Sequence, residues 1–78
     1  MAITKWLDKQ QAAARRRTGD PDFDLVAYIL NAVAEGATLR AVADELKVDR
    51  TQLERQMARI GYIYRPGGRF DRYVKEPV

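Results

Sequence analysis

The chain has 78 residues, a formal net charge of +3 at pH 7, and neither cysteine nor histidine. This length limits it to one domain with a small core, so a homodimer is a reasonable expectation for its stability. The missing residue types exclude disulfides and thiolate metal sites, and they remove the commonest metal ligand and general base. Because no phosphate-binding glycine spacing occurs either, we expect no cofactor, no metal ion and no enzymatic activity.

The distribution of charge indicates the kind of partner. Positive charge is concentrated in residues 1–19 and in the C-terminal third, whereas residues 20–48 have a net negative charge. Such a distribution favours a polyanion bound on one side of a small domain. The apolar runs are too short to cross a bilayer, and charges occupy the N-terminal stretch where a signal peptide needs apolar residues. A cytoplasmic protein without membrane contact is therefore expected.

Residues 2–17 are predicted to form the first helix. Trp6 and Leu7 begin a partial apolar stripe, which thins out before three consecutive arginines. We expect Trp6 and Leu7 to anchor this helix on the rest of the chain or on a second subunit. The segment 18–22, TGDPD, is a strong helix stop and the one plausible linker.

The second predicted helix spans residues 23–35. Asp22 is the expected N-cap, and Gly36 is expected to close the helix in a left-handed conformation. The apolar residues of this segment fall at helical spacing and predict one wide buried face. That face would consist of Phe23, Val26, Ala27, Leu30, Val33 and Ala34.

Residues 38–60 predict two short helices joined by a tight turn. Helix three spans residues 39–46 with Thr38 as its N-cap, and helix four spans residues 50–60 with Asp49 as its N-cap. Apolar residues on the inner faces would hold the two helices together, and a small residue would allow them to cross closely. These residues are Leu39, Val42, Ala43, Leu46, Val48, Leu53 and Met57.

This arrangement is typical of a helix-turn-helix, in which one helix enters the major groove and a second crosses behind it. The sequence departs from the general bacterial and phage pattern at two positions. Lys47 stands in the turn where glycine is usual, and a left-handed lysine there costs about 1 kcal/mol relative to glycine. Gln56 stands where an apolar residue is common. The alternative is an ordinary helical hairpin with no role in DNA binding.

Residues 62–74 predict a β-hairpin, because two β-prone runs flank Pro66-Gly67-Gly68. With the helix pair, this hairpin predicts a mostly α-helical winged helix-turn-helix of three to four helices and a C-terminal β-hairpin. That domain would span residues 21–78, after an N-terminal helix and basic arm at residues 1–20. Aromatic residues are expected to pack the hairpin onto the helices, or to form a stacking platform for single strands. They are Tyr62, Tyr64, Phe70 and Tyr73.

Candidate DNA-binding residues occur in helix four, the hairpin and the basic arm. Arginine suits guanine edges or phosphates, Gln52 suits adenine, and Thr51 suits a thymine methyl group or a phosphate. Glu54 is expected to accept from cytosine or to pair with Arg50 or Arg55. Arginines in the hairpin suit contact with phosphates or the minor groove. Arginines at the end of the first helix could contact phosphates, but cations are also stabilised at a helix C-terminus when no ligand is bound. The candidates are Arg50, Thr51, Gln52, Arg55, Arg59, Arg65, Arg69, Arg72, Arg15, Arg16 and Arg17.

The second half of the chain contains a series of short motifs. They are Ile60-Gly61, Tyr62-Ile63-Tyr64-Arg65, Gly67-Gly68-Arg69-Phe70 and Tyr73-Val74-Lys75. With these motifs, residues 38–75 resemble the C-terminal, KilAC-type domain of phage antirepressors, in which tryptophan is usual where Phe70 stands. The resemblance implies a winged DNA-binding module from a phage or mobile element. No segment corresponds to that family's N-terminal domain, so antirepressor activity is not expected.

The sequence therefore predicts sequence-specific binding of double-stranded DNA by a small phage or mobile-element-type transcriptional regulator or replication accessory. The alternative hypothesis is a protein-interaction module that inhibits or adapts a host protein without binding DNA. In that case Trp6 and the aromatic hairpin would form the contact, and the arginines would meet an acidic protein partner.

Overall fold

The computed structural model describes residues 4–72, which form four helices followed by a C-terminal antiparallel hairpin. The helices are α1 (Lys5–Thr18), α2 (Leu25–Ala34), α3 (Leu39–Leu46) and α4 (Arg50–Arg59), and the strands are β1 (Tyr62–Arg65) and β2 (Arg69–Arg72). The predicted mostly helical chain with a C-terminal hairpin is confirmed to this extent. Residues 2–3 of the predicted first helix and residues 73–74 of the predicted hairpin lie outside the described residues.

Helix α1 packs against α2. It begins at Thr4, whose hydroxyl accepts a hydrogen bond from the backbone N–H of Leu7 at 3.1 Å. Leu7 and Ala14 are buried, and the Gln11 Oε1 accepts from the backbone N–H of Leu25 at 3.1 Å. Leu7 therefore anchors the first helix on the rest of the same chain, which is one of the two alternatives expected from the sequence.

The predicted N-cap of the second helix is wrong. The cap is Asp24, whose Oδ1 accepts from the backbone N–H of Ala27 at 3.2 Å. The backbone N–H of Asp22 donates to the Asp20 Oδ1 at 2.9 Å, which folds residues 20–22 into a turn. The helix therefore begins two residues later than predicted. Gly36, with φ +104°, has the positive φ expected just after its end.

The buried face of α2 also differs from the prediction. Its buried residues are Leu25, Ile29 and Val33, at i, i+4 and i+8. Of the predicted face, Val33 is buried, Phe23, Val26 and Leu30 are partly buried against the core, and Ala34 is exposed. Helix α2 contains no charged residue, so its apolar periodicity does not select one side. The contacts of α2 with α1, α3 and β2 determine which side is buried.

The pair α3–α4 has the predicted boundaries to within one residue. Thr38 Oγ1 accepts from the backbone N–H of Ala41 at 3.0 Å, and Asp49 Oδ1 accepts from that of Thr51 at 2.7 Å. Between the helices, Lys47 adopts the left-handed conformation with φ 58° and ψ 43°. Both predicted caps and the predicted left-handed turn are confirmed.

The core lies where the four helices and the hairpin meet. Its buried residues are Leu7, Leu25, Ile29, Val33, Leu39, Val42, Ala43, Leu46, Leu53, Met57 and Ile60, and half-buried Val48 packs against them. The predicted inner faces of α3 and α4 are therefore confirmed. Within the part of the chain that the structure describes, Gln56 is the one buried polar residue, and its Oε1 has no hydrogen-bond partner.

The hairpin places its aromatic residues against the core. Its register pairs Tyr62 with Arg72, Ile63 with Asp71, Tyr64 with Phe70 and Arg65 with Arg69. The Tyr64 and Phe70 rings lie 5.1 Å apart between centroids, and with Tyr62 they pack against the core cluster. The expected packing role of these three aromatics is confirmed, and Tyr73 lies outside the described residues. No helix within residues 4–72 is both long and apolar enough to span a membrane.

Candidate nucleic-acid interface

Helix α4 presents a polar face away from the core. Thr51, Arg55 and Arg59 follow one another at i, i+4 and i+8 and are exposed, whereas Leu53 and Met57 on the other side are fully buried. The cap at the start of α4 fixes the first turn of this face. The predicted outward position of these three residues is confirmed.

The remaining polar residues of α4 lie beside this face. Arg50 Nη1 lies 3.5 Å from Glu54 Oε2, and the two side chains are 48% and 40% exposed. An ion pair this exposed contributes only about 0–1 kcal/mol. Of the expected alternatives for Glu54, the structure has the pairing with Arg50. Gln52 is half-buried at the edge of the face, and its backbone N–H donates to the Asp49 Oδ1.

A cleft of about 240 Å³ lies between α4 and β1. Its α4 side carries a hydroxyl, a carboxylate and a guanidinium group. The lining residues are Thr51, Glu54, Arg55, Ala58, Ile63 and Tyr64. The Tyr64 hydroxyl accepts from the backbone N–H of Leu39 at 3.4 Å, which ties β1 to the start of α3. The β1 wall of the cleft is therefore held in place by the helix pair.

Two hairpin arginines share one carboxylate. Arg65 Nε lies 3.3 Å from Asp71 Oδ2, and Arg69 Nε lies 3.5 Å from Asp71 Oδ1. We call these three residues the Asp71 cluster. Because side chains alternate along a strand, the cluster lies on the same hairpin face as Ile63, which lines the cleft. The cleft also contacts the opposite hairpin face through Tyr64, so it lies along an edge of β1 and the Asp71 cluster is on one of the two faces beside it.

Arg72 lies on the opposite hairpin face. Its guanidinium carbon is 4.9 Å from the centroid of the Tyr62 ring, and its Nη1 donates to the Tyr62 hydroxyl at 2.7 Å. Arg72 and Tyr62 are directly paired across the strands, on the face that carries Tyr64 and Phe70. The structure thus brings Arg65 and Arg69 together and separates Arg72 from them.

The three arginines at the end of α1 have different environments. Arg15 is half-buried, and its Nε donates to the backbone carbonyl of Phe23 at 3.0 Å, which closes the α1–α2 turn. Arg16 and Arg17 are exposed in the last turn of α1, where cations favour the helix C-terminus. Arg15 therefore has a structural contact that the sequence pattern did not indicate.

A second cleft, of about 220 Å³, lies between the end of α1 and α3. Its lining residues are Arg17, Thr18, Phe23, Tyr28, Glu45 and Leu46. The Tyr28 hydroxyl donates to the Glu45 carboxylate. This hydrogen bond, with burial and the charge of Glu45, raises the pKa of Tyr28, and the charge of Arg17 opposes the rise. Sequence reasoning missed this pair because its members are 17 positions apart.

Residues 50–72 contain six arginines and two acidic residues. Both acidic residues pair with arginines, whereas Arg55 and Arg59 make no ion pair within residues 4–72. Residues 4–72 also hold no group of three acidic, histidine or cysteine side chains able to bind a metal ion. A scan against protein-family models and searches of curated proteins and of solved structures found no match.

Proposed function

We propose that this chain binds double-stranded DNA as a winged helix-turn-helix, with α4 in the major groove and the hairpin as the wing. One observation carries the proposal: the exposed face of α4 and strand β1 of an arginine-bearing hairpin line one cleft. Arg55 lines the α4 side of the cleft and Arg59 is exposed one turn further along α4, while Arg65 and Arg69 belong to the hairpin whose strand β1 forms the other side. Such a surface is complementary to two neighbouring parts of one DNA strand.

The packing of α3 against α4 supports the role given to α4. A helix can enter the major groove only if its partner holds it from behind and leaves its outer face free. Ala43, at the crossing, is 1% exposed, and the turn at Lys47 is tight. The outer face of α4 is not covered by other described elements, because Thr51, Arg55 and Arg59 are exposed.

Residues of α4 would contact bases, and residues of the hairpin would contact the DNA backbone. Arg55 and Arg59 would contact guanine edges or phosphates, and Gln52 would contact adenine. Arg65 and Arg69 would bind phosphates, which positions the protein without specifying sequence. The cleft would then hold the sugar–phosphate strand that separates these two sets of contacts.

The biological role is proposed from the resemblance of residues 38–75 to KilAC-type domains. It is that of a small phage or mobile-element transcriptional regulator or replication accessory, acting in the cytoplasm where the DNA is found. The hairpin motifs that carry the resemblance include the Tyr64 and Phe70 pair, which packs the hairpin onto the core.

The test is a selection of binding sites from a random duplex library at a stated salt concentration. Arg55→Ala or Arg59→Ala should then weaken binding to the selected site by about 1–3 kcal/mol, and binding to random duplex much less. The matched control is Lys9→Ala, which removes an exposed cation from α1. Equal losses on selected and random duplex would exclude α4 from base recognition. A chain without duplex affinity at low salt would refute the proposal.

A further inference from the structure

We propose that Asp71 limits the affinity of the hairpin for phosphate, because it occupies both Arg65 and Arg69 in the free chain. Each DNA phosphate that contacts these arginines would have to approach the same carboxylate. The inference rests on the proposed DNA-binding function, which it extends by assigning a role to an acidic residue inside a basic surface.

The geometry of the Asp71 cluster carries this inference. The two carboxylate oxygens of Asp71 are divided between the two arginines, with Oδ2 at 3.3 Å from Arg65 and Oδ1 at 3.5 Å from Arg69. Arg65 and Arg69 are directly opposite each other across the strands, where like charges repel. Asp71 therefore offsets a repulsion that the hairpin register creates, and it also lowers the positive charge offered to a ligand.

Two opposite effects of Asp71 on phosphate binding have to be compared. Asp71 holds the guanidinium groups in place, but the side chains of Arg65 and Arg69 are 55% and 75% exposed, so water weakens this restraint. Asp71 also repels a bound phosphate. If the Asp71 carboxylate and the phosphate charge are about 6 Å apart, this repulsion weakens binding about threefold at the dielectric constant of water. At half that dielectric constant it weakens binding about tenfold. Repulsion is therefore the larger effect.

Asp71→Asn should accordingly tighten DNA binding by about three- to tenfold. The factor should be the same for a selected site and for random duplex, because phosphate contacts carry no sequence information. A damaged hairpin cannot imitate this result, since loss of structure weakens binding. Asparagine keeps the size of the side chain, removes its charge and replaces one acceptor oxygen with an NH2 donor.

The matched control is Asp22→Asn, which makes the same change in net charge. Asp22 is exposed in the α1–α2 turn and forms no ion pair within the described residues. Dissociation constants are measured for all variants on both duplexes at one low salt concentration. Asp22→Asn should tighten binding less than about twofold, because Asp22 pairs with neither hairpin arginine and its exposed charge is screened.

A double-mutant comparison isolates the role of the two arginines. In a chain carrying Arg65→Gln and Arg69→Gln, the gain from Asp71→Asn should fall to that of Asp22→Asn. The inference is overturned if Asp71→Asn leaves binding unchanged or weaker, if it gains no more than Asp22→Asn, or if its gain persists without the arginines. Absence of duplex binding by the unmodified chain would instead overturn the proposed function, and this inference with it.

Discussion

Replacing the buried Gln56 should stabilise the fold. Gln56 is 7% exposed, on the side of α4 that contacts the core, and its Oε1 has no hydrogen-bond partner among residues 4–72. Methionine at this position would be unbranched and of similar length, so it would fill the same space without a polar oxygen. Gln56→Met therefore removes an unpaired acceptor with little change in packing.

The magnitude follows from the desolvation of that oxygen. A buried acceptor without a partner costs about 1–3 kcal/mol. The apolar thioether also gains from burial, but its imperfect fit reduces that gain. We therefore expect the free energy of unfolding to rise by about 1–3 kcal/mol. In a chain of this size, each kcal/mol raises the Tm by about 4–8 °C.

The assay is urea unfolding followed by circular dichroism, with the m-value checked to be unchanged. Gln52→Met is the matched control, because it makes the same substitution in the same helix at a position that is only half-buried. The control should change the free energy of unfolding by less than about 0.5 kcal/mol. If Gln56→Met stabilises no more than the control, then Oε1 is satisfied in solution and the reasoning is refuted.

Three further predictions concern the turn, one tyrosine and the interface. Lys47→Gly should raise the free energy of unfolding by about 1 kcal/mol in urea, because Lys47 has φ 58° and glycine adopts this left-handed conformation without strain. If the free energy does not rise, residue 47 is not left-handed in solution. The pKa of Tyr28 is raised, so its contribution to stability should be full below about pH 10 and be lost as the pH rises through the higher folded value. Unfolding curves at several alkaline pH values test this, and Tyr28→Phe should remove the dependence. If about five phosphates are neutralised, the slope of log affinity against log salt should be about −4 to −5, and a slope near zero would exclude phosphate contact.

The sequence was sufficient to predict the α3–α4 pair because its signals are local. Thr38 and Asp49 accept hydrogen bonds from backbone groups two or three positions away, so their caps depend only on neighbouring residues. Lys47 lies between them, where the chain reverses and a left-handed residue is needed. Such features can be located without knowing the rest of the fold.

The sequence was not sufficient where the outcome depends on distant contacts. The buried side of α2 is set by α1, α3 and β2, and an uncharged helix carries no signal for it. In the candidate site, Arg65, Arg69 and Arg72 look alike in the sequence. The hairpin register separates Arg72 from the other two and places Asp71 between them. Register is a property of the paired strands and therefore appears only in the structure.

The hydrogen bond from the backbone N–H of Leu39 to the Tyr64 hydroxyl joins the hairpin to the first turn of α3. Helix α4 also packs on α3 and on β1, so the position of the hairpin relative to α4 is set by contacts through both elements. A ligand that contacts both α4 and the hairpin must have two recognition features at the separation that these contacts set. For duplex DNA, the bases that α4 contacts would therefore determine which phosphates the hairpin arginines reach, and removing the charge of one of those phosphates should weaken binding more than removing the charge of a phosphate elsewhere.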